Sequence, residues 1–296
     1  KQFGEPGFVF MDSKEWLFNP CVEICMAPVL IEKNGEVVEE YTIDLLNYEN
    51  RNDWIEEGYS FKSGWQACNL STINCSNIDS EEEYFEMASL AAVLGTFQAA
   101  YTDAGYLGEV SQKIIERESL LGVSMTGAME RPEIFLDPDN QRVASMKASL
   151  LNQTTSQTLR IKPASRVTCI KPEGTSSIVL GTCAGIHPHH AHKYLRRVQA
   201  NKDEAVYQYF EKHNPELIED SVWGADKVIA FPVEVDPSAI VKADMGAVEF
   251  LEKVKSTQKW WIESNEKLMR AYRLEGASHN VSVTASVKAD EWEAVA

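Results

Sequence analysis

The chain has no apolar run long enough to cross a bilayer as a helix, and its start, Lys1-Gln2-Phe3-Gly4, carries no apolar core of the kind a secretory signal needs. A soluble protein is the expectation, in the cytoplasm and without a membrane partner. Positive charge is scarce as well: 28 Lys and Arg stand against 45 Asp and Glu, a formal net charge of -17. That balance argues against a free-standing nucleic-acid binder, because no broad basic surface is available to neutralise phosphates. The one basic cluster is local, at Lys193, Arg196 and Arg197. Six cysteines in 296 residues are too few for a disulfide scaffold. Reduced thiols follow, some of them available for chemistry.

What is present is ordinary globular material, 44% hydrophobic and 25% charged, enough for one large domain or two small ones. Its most chemical stretch is Asn19-Pro20-Cys21-Val22-Glu23. Pro20 fixes φ and keeps Asn19 out of the helical region. An extended segment or tight finger loop then sends the amide, thiol and carboxylate to one side. A buried cysteine in a plain turn is the alternative.

The remaining chain alternates strand and helix patterns, which indicates an α/β class with parallel strands. Gly7–Met11 and Val29–Ile31 read as strands, Asn34-Gly35 as a hairpin turn, and Tyr41-Thr42-Ile43 as strand-like. Asn47–Gly58 reads as an exposed acidic excursion, and Gly64–Asn74, around Cys68, as a buried strand. After a cap at Asp79 or Ser80, Met87, Leu90, Leu94, Phe97 and Tyr101 recur at helical spacing and predict a core-facing stripe. Helices are expected over roughly 108–121 and 138–151, with a polar linker at 152–157. Strands follow at 166–170 and 227–233, then a long helix over 245–274 and a closing strand at 280–287.

Lys171-Pro172-Glu173-Gly174-Thr175-Ser176-Ser177 runs from a strand into hydroxyls that can open a helix. That order aims unpaired N–H groups forward, as a phosphate cradle does, or forms an ordinary helix cap. It is not a Walker A loop. Gly185-Ile186-His187-Pro188-His189-His190-Ala191-His192 places four histidines in six residues. A metal reading is open there, although Pro188 interrupts any helical face and no ligand stands at a finger-like spacing. Cys21, Cys25, Cys68 and Cys75 can also be drawn as a zinc site, at poor spacing.

In order along the chain, Phe18-Asn19-Pro20-Cys21-Val22-Glu23-Ile24, the segment Gly64–Asn74, and Cys169–Ser177 continuing through Gly185–His190 resemble the catalytic half of a ribonucleotide reductase. The likeness is to the adenosylcobalamin-dependent, class II enzymes, and it extends over Tyr194–Lys202, Ser221-Val222-Trp223 and His279-Asn280-Val281-Ser282. The resemblance implies part of a ten-stranded α/β barrel with a central finger loop at 16–26, an insertion at about 32–63 and a phosphate-binding turn at 171–178. It implies reduction of ribonucleotides to 2′-deoxyribonucleotides, with adenosylcobalamin as cofactor. In this likeness Cys21 is the radical cysteine that removes hydrogen from C3′, Glu23 takes the 3′-hydroxyl proton, and Asn19 hydrogen-bonds the substrate. Cys68 is one of the redox pair, and Glu173, Gly174, Thr175, Ser176 and Ser177 hold phosphate. No metal ligand is implied.

The family's first redox cysteine lies upstream of the finger, in a region this sequence does not contain. The partners expected are therefore a ribonucleotide, a complementing N-terminal reductase segment and a thioredoxin-type reductant. Two other readings stand: a thiol enzyme built on Cys21 with a histidine supplied by the fold, and a zinc- or scaffold-type binding module using the cysteines and the histidine run.

Overall fold

The computed structural model describes residues 7–9, 16–39, 43–222, 224–264 and 278–295. They form two compact units, one made of residues 1–187 and 247–296 and the other of 188–246. The first carries the loop around Cys21, the thiols of Cys68 and Cys169, and the turn at 171–178.

In the larger unit, β1 (Leu17–Phe18) and β2 (Cys25–Met26) pair antiparallel and hold the loop 19–24 between them. Next come β3 (Val29–Lys33), β4 (Glu36–Val37) and β5 (Tyr59–Ser63), with both neighbours antiparallel to β3. Asn34 and Gly35 have φ of 53° and 89°, the left-handed pair that a two-residue hairpin requires, so the Asn-Gly signal is borne out. Between β4 and β5 lie α1 (Ile43–Leu46) and α2 (Arg51–Glu56). The strand expected at 41–43 is helical from Ile43, and its first two residues lie outside the described ones. The stretch 32–63 is not a bare excursion either: Leu45 and Leu46 are buried in a cluster with Trp16 and Ile31, against which Trp54, Tyr59 and Phe61 pack.

The centre of this unit is parallel. β6 (Asn69–Asn74) pairs with β7 (Leu121–Thr126) in parallel register, Asn69 opposite Leu121. Thr168 bridges in parallel to Val123, and Ile170 in parallel to Val281, so the expected strand at 166–170 lies between β7 and the segment 280–282. Every residue of β7 is buried, as a strand covered on both faces must be. The expected closing strand contracts to the bridge at Val281, with Ile170 N–H donating to Asn280 O and Ser282 N–H to Ile170 O. Gly7–Val9 form no strand, and Phe8 is exposed, while Phe10 and Met11 lie outside the described residues. The arrangement is mixed α/β with four adjacent parallel segments.

One long helix covers these strands, and a second packs against it. α3 (Glu81–Ala99) is capped by Ser80, whose hydroxyl accepts from Glu83 N–H, and Glu83 reaches back to Asp79 N–H. Its buried face is Tyr84, Ala88, Ala92, Gly95, Thr96 and Ala99. The predicted core stripe is wrong: Leu90, Leu94, Phe97 and Tyr101 are exposed, and Met87 is only half-buried. Close approach selects the small residues, since a Cβ on Gly95 would stand 3.0 Å from Leu121 Cγ. Large side chains on that face would hold the helix off the strand. After α4 (Glu109–Glu118) and α5 (Pro132–Phe135), α6 (Pro138–Leu159) passes straight through the expected linker at 152–157. Its buried positions include Asn140, Gln141, Ser145, Asn152 and Ser156. Asn152 explains this, donating to Thr96 Oγ1 at 2.9 Å and accepting from Ala164 N–H at 2.9 Å. A buried amide with both ends bonded is stable in a core.

The chain continues through the short α7 (Ser176–Leu180), and, beyond the smaller unit, α9 (Ala247–Thr257) runs into one π-helical turn, Gln258–Ile262. Most of the remainder of the helix expected to 274 lies outside the described residues. Trp261, on that turn, is fully buried, stacks on Tyr84 at 6.0 Å and donates from Nε1 to Cys169 O at 3.0 Å.

The smaller unit is an antiparallel sheet of β8 (Lys193–Ala200), β9 (Ile218–Asp220) and β10 (Lys227–Glu234), with β10 central, and the helix α8 (Ala205–His213). Phe210 of α8 meets Phe231 of β10 at 5.8 Å. The basic cluster seen in the sequence is largely paired, Lys193 with Glu234 at 2.8 Å and Arg197 with Glu219 at 3.3 Å.

A buried triad joins the finger's stem to the parallel strands. Glu118, at the end of α4, is 3% exposed and sits between Arg117 (9%) and Arg166 (3%). Its two oxygens accept from Arg117 at 2.9 Å and from Arg166 and Ser165 at 2.8 and 2.7 Å. Arg117 also donates to Val29 O and Ala27 O, at 2.8 and 3.2 Å. Burial alone would raise the Glu118 carboxyl, but Arg166, Arg117 and the hydrogen bonds outweigh it and hold it below the usual carboxylate range. Glu118→Gln strands two buried guanidinium groups and is expected to cost about 3–5 kcal/mol in denaturant unfolding at neutral pH. Because the native carboxyl is lowered, its contribution is complete above the unfolded value of about 4.3 and is lost as pH falls through the native one. The gap between wild type and variant should therefore close in acid.

Candidate active site

The loop between β1 and β2 is a tight tip closed by Asn19. Asn19 O accepts from Val22 N–H at 2.9 Å, and Asn19 Oδ1 accepts from Ile24 N–H at 3.0 Å. The amide of Asn19 thus shapes the turn itself. Val22 is held at φ 67°, left-handed and strained for a β-branched residue. This kink breaks the alternation expected of an extended segment: Cys21 is exposed, whereas Glu23 is fully buried. The three side chains of Asn19, Cys21 and Glu23 therefore do not share one side.

Glu23 is the unusual group. Among the described residues neither of its carboxylate oxygens has a hydrogen-bond partner, although both are withdrawn from water. A buried carboxylate without a donor is costly unless a ligand completes it. Its field reaches two thiols, Cys68 and Cys169, and raises both. Burial is the larger cause in each case and pushes these thiols well above the ordinary range, with Arg166 opposing it at Cys68.

Register explains why these groups meet. Cys68 precedes β6 and is followed at alternate positions by Leu70 and Thr72, so the three face one side. Cys68, Leu70 and the finger's Met26 pack against Ile24, Leu120 and Cys169. Gly122 provides the space: a Cβ there would lie 2.5 Å from Leu70 Cδ2, 3.1 Å from Ile24 Cδ1 and 3.2 Å from Cys169 Sγ. The sequence reading treated Cys169 only as part of a strand and did not single out Gly122. The period-two pattern was the available signal for the shared face. It could not say which strands were neighbours.

Thr72 continues this face to the turn at 171–178, donating to Glu173 Oε1 at 2.8 Å. Glu173 is buried at φ 55°, and its other oxygen accepts from Ser176 Oγ. Its carboxylate thus braces the turn from within, and it is the backbone of the turn that faces out. Gly174 and Thr175 are exposed, Ser176 is half-buried and Ser177 is buried. Ser177 N–H is taken by Glu173 O at 3.1 Å. His187 packs on Phe250 and engages both ring nitrogens, one with Ala184 O at 2.6 Å and the other with Thr284 N–H at 3.0 Å. Among the described residues, Cys21, Cys25, Cys68 and Cys75 provide no group of three ligands spaced for a metal ion. Cys25 and Cys75 are buried.

No protein-family model matches the chain. Over 235 residues it is 21% identical to the adenosylcobalamin-dependent ribonucleoside-triphosphate reductase of Levilactobacillus brevis, covering 68% of this chain and 31% of that protein. Over 237 residues it is 21% identical to the enzyme of the same name from Lacticaseibacillus paracasei, covering 67% and 31%. The chain thus spans about a third of the length of these curated relatives. Its structure is similar to the crystal structure of a B12-dependent, class II ribonucleotide reductase, with a TM-score of 0.58 and 17% identity, over 78% of this chain and 34% of that one. This likeness supports the α/β class expected from the sequence, but not the ten-stranded barrel as such.

Exposure and thiol acidity order the cysteines. Cys21 alone is exposed and Cys68 is half-buried, whereas burial pushes Cys183 up to about 12 and raises Cys68, Cys75 and Cys169 as well. Each unit costs tenfold in thiolate, the reactive form. Limited alkylation of the native chain should label Cys21 at least about a hundredfold faster than Cys68 or Cys169. Peptide mapping by mass spectrometry reads the order, and equal rates would contradict the burial of Cys169 and the raised thiol of half-buried Cys68.

Proposed function

We propose that this chain carries the catalytic finger, one redox thiol and the phosphate turn of a ribonucleotide reductase, and that it takes part in reducing ribonucleotides to 2′-deoxyribonucleotides by thiyl-radical chemistry. The observation that carries this is Glu23: a buried carboxylate with both oxygens unpartnered, two residues from an exposed thiol. The likeness to adenosylcobalamin-dependent reductases supports the same reading.

In this reading Cys21, as its thiyl radical, takes a hydrogen atom from ribose C3′, which leaves a thiol on the protein and the radical on carbon. Glu23 accepts the 3′-hydroxyl proton, the hydrogen bond its oxygens lack. A dithiol that includes Cys68 gives one proton to the departing 2′-hydroxyl, which leaves as water, and its two electrons and second proton to the sugar as it becomes a disulfide; Glu23 returns its proton to the 3′-oxygen. Cys21 then returns its hydrogen atom to C3′. The exposed position of Cys21 at a loop tip is accessible to a bulky group. Adenosylcobalamin, when bound, supplies the one-electron oxidant that generates the thiyl.

Cys169 does not serve as the partner of Cys68. Its strand is separated from β6 by β7, two spacings or roughly 9.5 Å, whereas a disulfide needs Cα atoms within about 7 Å. The second thiol is therefore assigned to a complementing N-terminal reductase segment. The other edge of β6 has no strand paired to it among the described residues and suits such a partner. A thioredoxin-type protein is the proposed reductant.

Two outcomes are expected. With the complementing segment, adenosylcobalamin and a dithiol reductant, Cys21→Ser should yield no deoxynucleotide, because an alcohol does not replace sulfur as the hydrogen-abstracting radical; wild-type turnover by this variant would refute the assignment. At the turn, Gly174 is not at positive φ and a Cβ there meets nothing within 4 Å, so the fold does not require glycine. Gly174→Val should leave the melting temperature unchanged yet weaken nucleotide binding at least about tenfold, or 1.4 kcal/mol, by blocking approach to the backbone, and Ser176→Ala should cost less. Negligible losses for both in calorimetric titration would reduce the turn to a helix cap.

A further inference from the structure

Three consecutive carbonyls at the finger tip are held by one short segment. Ser282 Oγ donates to Cys21 O at 2.6 Å, Asn280 Nδ2 donates to Val22 O at 3.1 Å, and Asn280 N–H donates to Glu23 O at 2.9 Å. One residue earlier, His279 is 1% exposed and fixes the stem of the loop: Nδ1 accepts from Cys25 N–H at 3.1 Å, and Nε2 donates to Leu121 O at 2.8 Å. The neutral Nε2–H tautomer is the one that satisfies both bonds. The segment is itself anchored to the third parallel strand, since Ile170 N–H donates to Asn280 O and Ser282 N–H to Ile170 O.

We propose that Asn280 and Ser282 are positioning residues that hold the finger tip with Val22 left-handed, and so hold the thiol of Cys21 outward while the carboxylate of Glu23 stays inward. The physical need lies in Val22. A β-branched residue at φ 67° is strained and relaxes unless its surroundings fix it. Asn19 closes the turn from inside but, among the described residues, bonds only to Val22 and Ile24. The carbonyls on both sides of the Val22 kink are held from outside, by Ser282 and Asn280. Rotation at Val22 would swing Cys21 and Glu23 relative to each other, and the proposed chemistry depends on their relative placement. The catalytic role of this pair rests on the function proposed above, whereas the conformational role does not.

The test uses the full chain and two independent readouts. Ser282→Ala and Asn280→Asp, which lacks the side-chain donor, should speed amide exchange across 20–24 at least about tenfold and change the alkylation rate of Cys21, with exchange elsewhere unaltered. Ser282→Thr keeps the hydroxyl and should behave as wild type. Val22→Asn, which takes positive φ at lower cost than valine, should suppress the Ser282→Ala effect. A merely structural bond would not show that suppression. In the complemented reaction the two clamp variants should lose kcat with KM retained. Unchanged exchange and alkylation in both variants, or a Ser282→Ala defect that Val22→Asn does not relieve, would overturn the positioning role. Should Ser282→Ala fail to fold, Asn280→Asp with and without Val22→Asn decides the same question. If exchange responds as expected but wild type makes no deoxynucleotide, the clamp stands and the proposed function fails.

Discussion

The placement of the finger depends on a buried charge network. Arg117 grips the carbonyls of Ala27 and Val29 just beyond β2, Glu118 is held between the two arginines, and Arg166 opens the strand that carries Cys169. The same guanidinium of Arg166 opposes the rise of the Cys68 thiol. One ion triad thus ties the stem of the loop to the strands that bear Cys68 and Cys169. Such a network contributes less net stability than its bonds suggest, since desolvation offsets much of the attraction. Its directional bonds instead fix register, and register is what a site assembled from distant segments needs.

Around that network the core uses small and polar residues where apolar ones were expected. α3 turns alanines, a glycine and a threonine inward and leaves Leu90, Leu94 and Phe97 outside. α6 buries Asn152 and Ser156 because each finds a partner there. Both departures have one cause: helices packed closely on a strand or on another helix select volume and hydrogen bonding over hydrophobicity. Gly122 extends the rule to the site. Its missing side chain admits Ile24 from the finger and Cys169 from the next strand into the same space.

Several elements were legible without coordinates because local chemistry decides them. The Asn34-Gly35 turn, the Ser80 cap with Glu83, and the Pro138 start of α6 follow from backbone preferences of single residues. The strand at 69–74 and its Cys68 followed from alternation. Periodicity failed where it had to choose a face, as at α3, because a stripe of large apolar residues reads the same whether it meets a core or lies in solvent. It failed again at 152–157, where polar residues look like a linker unless their partners at Thr96 and Ala164 are known.

The sequence by itself determined the chemical inventory: the thiol of Cys21 between an amide and a carboxylate, a second thiol at Cys68, a small-residue turn at 173–177, and an α/β alternation. These are properties of neighbouring residues, and neighbours suffice to state them. Only the tertiary structure decided how that inventory is arranged. It turned Cys21 outward and Glu23 inward through a left-handed Val22, brought Ile24, Leu70 and Cys169 around Gly122, and put Asn280 and Ser282 on the tip from more than 250 residues away. Contacts at that separation depend on which strands become neighbours and in what register, which backbone hydrogen bonding and packing settle across the whole fold.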